Sequence, residues 1–66
     1  MVQVYKLTIR EKGVSMPYHV SEFGCVGGDA EALALQSKGW RHYAHCDRWR
    51  SELRRVGERR PFSIIG

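Results

Sequence analysis

The N-terminal part of the chain alternates between apolar and polar residues, as β-strands with one buried face do. Between residues 2 and 12, polar side chains separate four apolar ones: Val2, Val4, Leu7 and Ile9. The alternation shifts near Tyr5, which indicates either a β-bulge or a strand buried partly on both faces. A second strand is predicted from Tyr18 to Val26. Gly13 lies between the two runs and predicts a hairpin whose loop is longer than two residues.

The segment that follows Gly27 and Gly28 is predicted to form a helix. Asp29 is a suitable N-cap, because its carboxylate can accept a backbone N–H of the first turn. The next residues are mostly alanine, leucine and glutamine, which are strong helix formers. They include one face at i, i+3 and i+4 spacing: Ala30, Leu33 and Ala34. Gly39 stands where a terminating glycine is expected, so the predicted helix has about ten residues.

The segment from Trp40 to Val56 admits two interpretations. In one continuous helix, the apolar residues of its two halves would lie on opposite sides, which a single amphipathic helix does not show. We therefore predict a third strand over residues 40–45, followed by a second helix from Arg48 to Val56 with Asp47 as its cap. That helix would carry one apolar stripe at i, i+4 and i+7: Trp49, Leu53 and Val56. A continuous, kinked helix is the alternative.

The C-terminal tail is short and apolar. Pro61 ends any preceding helix, and Phe62, Ile64 and Ile65 predict either an edge strand or a segment that extends the sheet of a partner. The expected fold is α+β, with an antiparallel sheet of three to four strands and two short helices packed on one face, close to ββαβαβ. Residues 1–66 are expected to form a single small basic domain.

Size and composition restrict the setting of this domain. A chain of 66 residues buries only about 60% of its unfolded surface, so docking on a partner or forming a homodimer would stabilise it. No run approaches the ~18 apolar residues of a membrane span, and the charged N-terminus does not resemble a secretory leader. Two cysteines are too few for a disulfide framework. The expected location is cytoplasmic, with no membrane partner.

The positive charge is concentrated in the second half. Residues 40–60 contain seven arginines and three acids, a balance of +4, while the first forty residues balance to zero. Such a cationic segment favours polyanionic partners: nucleic acid, a nucleoprotein complex or an acidic protein surface. Arginine binds phosphate through a planar fork, and tryptophan and tyrosine can stack on bases. The predicted binding residues are Trp40, Arg41, Tyr43, Arg48, Arg50, Arg54, Arg55, Arg59 and Arg60.

Other chemistry has weaker support in the sequence. Cys25, His42, His45 and Cys46 are the residue types of a zinc site, but His45 and Cys46 are adjacent and Cys25 is isolated, unlike the usual spacing. Cys46 with His42 or His45 as base, or His19 with Glu22, has the composition of a catalytic pair without a supporting pattern. We therefore predict no catalytic residue, no metal site and no cofactor.

One stretch resembles a known family. The sequence VSEFGCVGGDAEALAL, residues 20–35, is similar to the strand-turn-helix of HicB-type antitoxins, in which a Gly-Cys strand end precedes an acidic cap and an Ala/Leu helix. The similarity covers about sixteen residues, and the residues after Lys38 do not follow that pattern. No family assignment is made from it.

The sequence thus predicts a non-enzymatic binding module that contacts nucleic acid or a nucleoprotein through its Arg/Trp-rich second half. The alternative is a small protein-binding inhibitor or modulator, of the type encoded by phages and mobile elements, that covers a site on a larger host complex. Its anchors would be aromatic and aliphatic side chains with an arginine rim, because such residues dominate interface energetics. The candidates are Trp40, Phe62, Ile64 and Ile65.

Overall fold

The computed structural model describes all residues, 1–66, and contains one four-stranded antiparallel sheet and one helix. In chain order the elements are β1 (Gln3–Glu11), β2 (His19–Cys25), α1 (Gly28–Trp40), β3 (Trp49–Arg55) and β4 (Ser63–Ile65). The strands lie in the order β2-β1-β3-β4. The α+β class is therefore confirmed, but the chain forms one helix where two were predicted, and the order is ββαββ.

Strand β1 is central and pairs with both of its neighbours. Its pairing with β2 is antiparallel and confirms the predicted hairpin, with Tyr5 opposite Phe23 and seven consecutive residue pairs. No residue is skipped, so the shift in alternation near Tyr5 does not produce a bulge. Gly13 has a φ of 81° in the turn after β1, a left-handed conformation that glycine adopts without strain.

The arginine-rich segment is a strand, which corrects the prediction of a helix from Arg48 to Val56 capped by Asp47. Trp49–Arg55 pairs with β1 over seven residues, and Leu53 is fully buried. As a helix this segment would leave one edge of β1 without backbone partners, and buried backbone groups require partners. The spacing of the apolar residues does not distinguish a strand from a helix here, because residues four apart, such as Trp49 and Leu53, share a face in both.

Residues 40–45 are not a strand, and the kinked-helix alternative is also wrong. Helix α1 continues through Gly39 to Trp40, and Gly39 lacks the positive φ of a terminating glycine. The chain then makes turns, in which the Tyr43 N–H donates to the Trp40 carbonyl at 2.9 Å and the Cys46 N–H to the Tyr43 carbonyl at 3.1 Å. These turns carry the chain back to the start of β3.

The start and the orientation of α1 also differ from the prediction. The N-cap is Gly27, whose N–H donates to Oε1 of Glu31 at 2.7 Å, whereas Asp29 makes no capping bond. The buried helical residues are Ala32 and Gln36, and Leu33 is exposed. Apolar side chains occur on several sides of α1, so the sequence pattern does not specify which side faces the sheet.

The core lies between α1 and one face of the sheet. Its fully buried side chains come from four elements: Tyr5, Cys25, Ala32 and Leu53. Leu7, Phe23 and Phe62 pack against them, and the predicted edge strand at the tail is confirmed as β4, paired with β3. Helix α1, at thirteen residues, is too short and too polar to cross a membrane.

Candidate functional site

The sheet has two unlike faces. Helix α1 covers the face that carries Tyr5, Leu53 and Ser51, because Gln36 bonds to Ser51 and Asp29 bonds to Tyr5. Successive side chains alternate between faces, so the intervening residues point away from the helix. We call this second, uncovered side the open face, and it is formed by Val4, Lys6, Thr8, Arg10, Val20, Glu22, Arg50, Glu52, Arg54 and Ile64.

Glu52 lies in the middle of the open face between two arginines. Its carboxylate is 3.3 Å from Nη2 of Arg10 and 3.1 Å from Nε of Arg50. Glu52 is only 8% exposed and the neighbouring Thr8 only 4%, although α1 lies on the other face of the sheet. The side chains of Arg10 and Arg50 beside Glu52 are 26% and 42% exposed, and the Nε atoms of both arginines are buried. The triad of Arg10, Glu52 and Arg50 keeps one net positive charge.

Lys6 and Arg54 form a second cationic pair on the open face. They are opposite each other on β1 and β3, and Glu22 is opposite Lys6 on β2. Nη1 of Arg54 donates to the carbonyl oxygen of Arg59 at 3.1 Å, which places the loop that contains Arg59 beside this pair. Like charges on directly opposed residues destabilise a sheet. The opposition of Lys6 and Arg54 therefore does not stabilise the folded sheet.

Arg55, the next residue along β3, points to the covered face and has an internal role. Its Nε donates to Oδ1 of Asp29 at 3.0 Å, and its Nη1 donates to the carboxylate of Glu58 at 3.1 Å. The guanidinium also stacks 4.5 Å from the centre of the Phe62 ring. Hydrogen bonds from Arg55, and then from the Tyr5 hydroxyl, lower the pKa of Asp29. Arg55 thus fastens α1 to the sheet and is not available to a ligand.

The Tyr5 hydroxyl in this network also has a shifted pKa. Tyr5 is fully buried and donates to Oδ1 of Asp29 at 2.6 Å. Burial, together with the hydrogen bond to the Asp29 carboxylate, raises the pKa of Tyr5 to about 12. The phenol therefore stays protonated and the carboxylate stays ionised over a wide pH range.

The aromatic residues of the predicted site lie elsewhere. Trp40 stacks on Tyr43 with ring centres 6.2 Å apart, Tyr43 meets Trp49 edge-on at 5.6 Å, and Trp49 packs on Tyr18 at 4.8 Å. We call these four residues the aromatic cluster. It closes one end of the covered side, where α1 and the following turns return to the sheet. Arg48 lies beside it, 5.9 Å from the Trp49 ring.

The predicted binding residues are therefore divided by the fold. The open face and its adjoining loop hold Arg50, Arg54, Arg59 and Arg60. The end of the molecule near the aromatic cluster holds Trp40, Arg41, Tyr43 and Arg48, and Arg55 is bonded to Asp29 on the covered face. Sequence reasoning missed Lys6 and Arg10, which complete the open face. The polar positions of β1 were visible in the sequence, but their proximity to the arginines follows from the pairing of β1 with β3.

The cysteines and histidines do not assemble into a metal site. Cys25 precedes α1 and is fully buried, and burial raises the pKa of its thiol. Cys46 follows the other end of α1, and hydrogen bonds from Arg48 lower its pKa. No three metal-binding side chains converge anywhere in the chain. His19 and Glu22 are on opposite faces of β2, so they do not form a pair.

One pocket lies between the sheet and the turn after α1. It measures about 200 Å³ and is lined by Leu7, Ile9, His19, Gly39, His42 and Tyr43. Pockets that enclose small molecules usually measure about 300–1,000 Å³, so this one is small by that standard. The most extensive unusual feature of the surface is the open face.

Comparison with known proteins finds no matching family model, no matching curated protein and no matching solved structure. The likeness of residues 20–35 to HicB-type antitoxins is thus confined to one strand, one turn and one helix.

Proposed function

We propose that the protein is a non-enzymatic nucleic-acid-binding module and that the open face, with the loop of Arg59 and Arg60, is its contact surface. The observation that supports this most is the uncovered sheet face on which four cations and two carboxylates leave a net charge of +2. The cations are Lys6, Arg10, Arg50 and Arg54, and the carboxylates belong to Glu52, between Arg10 and Arg50, and to Glu22, opposite Lys6 on the outer strand β2. A flat cationic surface of this kind attracts the phosphate backbone of nucleic acids.

The charge of the open face also argues against some other occupants. Two copies of the protein that met through this face would bring like charges together, and such contacts cost several kcal/mol in interfaces. An apolar partner would have to remove water from the charged groups of this face, which is costly. A polyanion neutralises them and releases condensed counterions, which favours binding.

The cations differ in their availability. Arg10 and Arg50 share the Glu52 carboxylate, whereas Lys6 and Arg54 face each other, and Arg59 and Arg60 are exposed in the loop. About four phosphate contacts are therefore expected. The logarithm of the binding constant should then fall with the logarithm of salt concentration with a slope of roughly −3 to −4.

A salt titration with matched variants tests the proposal. Binding to a fluorescent oligonucleotide would be measured for the unchanged protein and for two double variants. Lys6→Ala/Arg54→Ala removes two cations from the open face. Lys38→Ala/Arg41→Ala removes the same charge from exposed positions at the end of α1 and the following turn. We expect the first variant to reduce the salt slope by about 2 and the second to change it little. Equal effects of the two variants, or binding that ignores salt, would overturn the proposal.

A second candidate function is supported by a different part of the same surface. Val4 is 41% exposed at one end of the open face, the N–H of Val56 donates to its carbonyl, and Val2 lies over Gly24 beside it. An apolar patch with an arginine rim is typical of protein interfaces. This candidate is an inhibitor or modulator of phage or mobile-element type that acts in the cytoplasm by covering a site on a larger complex. Of the anchors expected from the sequence, Ile64 remains well exposed, at 48%.

The two candidates respond differently to nuclease. A pull-down from cell lysate would be run with and without nuclease, using the unchanged protein and Val4→Asp. A discrete protein that survives nuclease and high salt, and that is lost with Val4→Asp, would support the inhibitor. Material that disappears with nuclease would support the nucleic-acid module.

A further inference from the structure

We infer that the open face recognises the double helix of B-form DNA and contacts phosphates on both sides of its major groove. This inference rests on the proposed function and specifies its ligand. It follows from three features of the open face: the absence of aromatic rings, the spacing of its cations and the position of Glu52.

The first feature concerns stacking. Proteins that bind single strands combine a cationic groove with aromatic side chains on which the bases stack. All aromatic residues of this chain lie on the covered side or in the aromatic cluster: Tyr5, Tyr18, Phe23, Trp40, Tyr43, Trp49 and Phe62. The open face therefore offers unpaired bases no stacking surface. A duplex presents stacked, enclosed bases and exposed phosphates, which suits a face made of cations and short side chains.

The second feature is the arrangement of the cations in two rows. Lys6 and Arg54 form one cross-strand row, and Arg10 and Arg50 form the other. The rows are four residues apart along β1 and β3, which corresponds to about 13 Å in an extended strand. The major groove of B-DNA is about 12 Å wide between its phosphate backbones. One row can thus contact each backbone while the strands cross the groove.

The third feature is the location of Glu52. Its backbone lies beside that of Thr8 midway between the two rows, about 6–7 Å along the strand from each, and its carboxylate turns to Arg10 and Arg50, at 3.3 and 3.1 Å. A free carboxylate next to a phosphate would be repelled, but these two arginines neutralise that of Glu52, and the triad keeps one positive charge. Because Arg10 and Arg50 already occupy its oxygens, Glu52 is not free to read a base. The expected binding is therefore to the duplex backbone, with little sequence preference.

Three probes of equal length test the ligand: a duplex DNA, one of its single strands and the duplex RNA of the same sequence. Affinities of the unchanged protein would be measured at one fixed salt concentration and again across a salt series. We expect duplex DNA to bind about tenfold more tightly than the single strand. It should also bind more tightly than duplex RNA, whose major groove is narrow and deep.

The outcomes separate the inference from the proposed function. Salt-dependent binding that favours the single strand, or that treats both duplexes alike, would overturn the inference and leave the nucleic-acid module intact. Failure to bind any of the three probes in a salt-dependent manner would overturn the proposed function itself.

A pair of variants tests the two rows. Lys6→Gln/Arg54→Gln removes the first row. Arg10→Gln/Arg50→Gln/Glu52→Gln removes the second row together with its carboxylate, so that no buried charge is left unpaired. Circular dichroism and thermal unfolding would verify that both variants fold. Each should weaken duplex binding by about tenfold. If removal of either row left the duplex affinity unchanged, the two-backbone arrangement would be wrong.

Discussion

The two faces of the sheet are made from alternate residues of the same strands, yet their cations are paired differently. On the covered face the ionic groups are matched: Arg55 is bonded to Asp29 and Glu58, and Tyr5 completes the network. On the open face Arg10 and Arg50 share the carboxylate of Glu52, while two cations, Lys6 and Arg54, are placed opposite each other. The comparison teaches that a cation's role depends on which side of its strand it occupies, since Arg54 and Arg55 are adjacent in sequence.

The largest expected effect comes from the covered face. Leu53→Ala removes a fully buried side chain from the centre of the core and should destabilise the protein by about 2–5 kcal/mol. A domain of this size has roughly 3–5 kcal/mol from its core, so the variant should be largely unfolded. Urea denaturation followed by circular dichroism measures this. Ile64→Ala, on the open face, is the control and should cost much less, because Ile64 is about half exposed.

The two adjacent arginines provide the most direct test of the comparison. Arg55→Ala should lower the unfolding temperature, because it leaves Asp29 without its cation at the junction of α1 and β3. Arg54→Ala should leave the unfolding temperature nearly unchanged and weaken nucleic-acid binding about threefold. Thermal unfolding and binding titrations give the unfolding temperature and the nucleic-acid affinity of each of the two variants. A reversal, in which Arg54 governs stability and Arg55 governs binding, would contradict the assignment of the faces.

The pH dependence of stability should originate on the covered face. Because the pKa of Asp29 is lowered by folding, its contribution is present above its unfolded pKa of about 3.9 and is lost as pH falls through the folded value. Because the pKa of Tyr5 is raised to about 12, its contribution is fully present below about pH 10 and is lost as pH rises towards that value.

Denaturant unfolding measured across pH follows both the loss of stability in acid, which we call the acid limb, and the loss in base. Asp29→Asn should flatten the acid limb, while Asp47→Asn, at an exposed position in the turn before β3, should leave it unchanged. An acid limb that persists in Asp29→Asn would show that another carboxylate dominates.

The smallest expected effect is a difference in thiol reactivity, which reports opening of the covered face. Cys46 is partly exposed with a lowered pKa, whereas Cys25 is fully buried with a raised pKa. An alkylating reagent should therefore modify Cys46 first, and Cys25 only when the helix separates from the sheet. Mass spectrometry of the native protein over time measures the order. Simultaneous modification would mean that the covered face opens readily.

The parts of the fold that the sequence predicts are those with one consistent period. The β1–β2 hairpin is such a part, since its alternation is long and Gly13 marks its turn. β3 was missed because Trp49 and Leu53 fit a strand and a helix equally well. The side of α1 that faces the sheet was missed because that side is selected by polar contacts of Gln36 and Asp29.

The composition of the candidate site could be predicted only in part, for a related reason. The arginines of residues 50–60 are visible as a cluster in the sequence, but Lys6 and Arg10 join them through strand pairing with residues that are 48 and 40 positions away. No local pattern encodes that pairing. Arg55 likewise does not belong to the candidate site because it bonds to Asp29, which lies 26 residues away in the sequence.

The contacts of Gln36 have a further consequence. Its Nε2 donates to Oγ of Ser51 at 3.2 Å and to the Ser63 carbonyl at 3.3 Å, and its Oε1 accepts a bond of 2.6 Å from the Ser63 hydroxyl. In β4 the two side chains after Ser63 are both isoleucine and point to opposite sides, so moving the strand by one residue would place Ile65 where Ile64 lies, on the open face. The hydrophobic pattern of β4 therefore does not fix its alignment with β3. The hydrogen bonds of the buried Gln36 amide select one alignment.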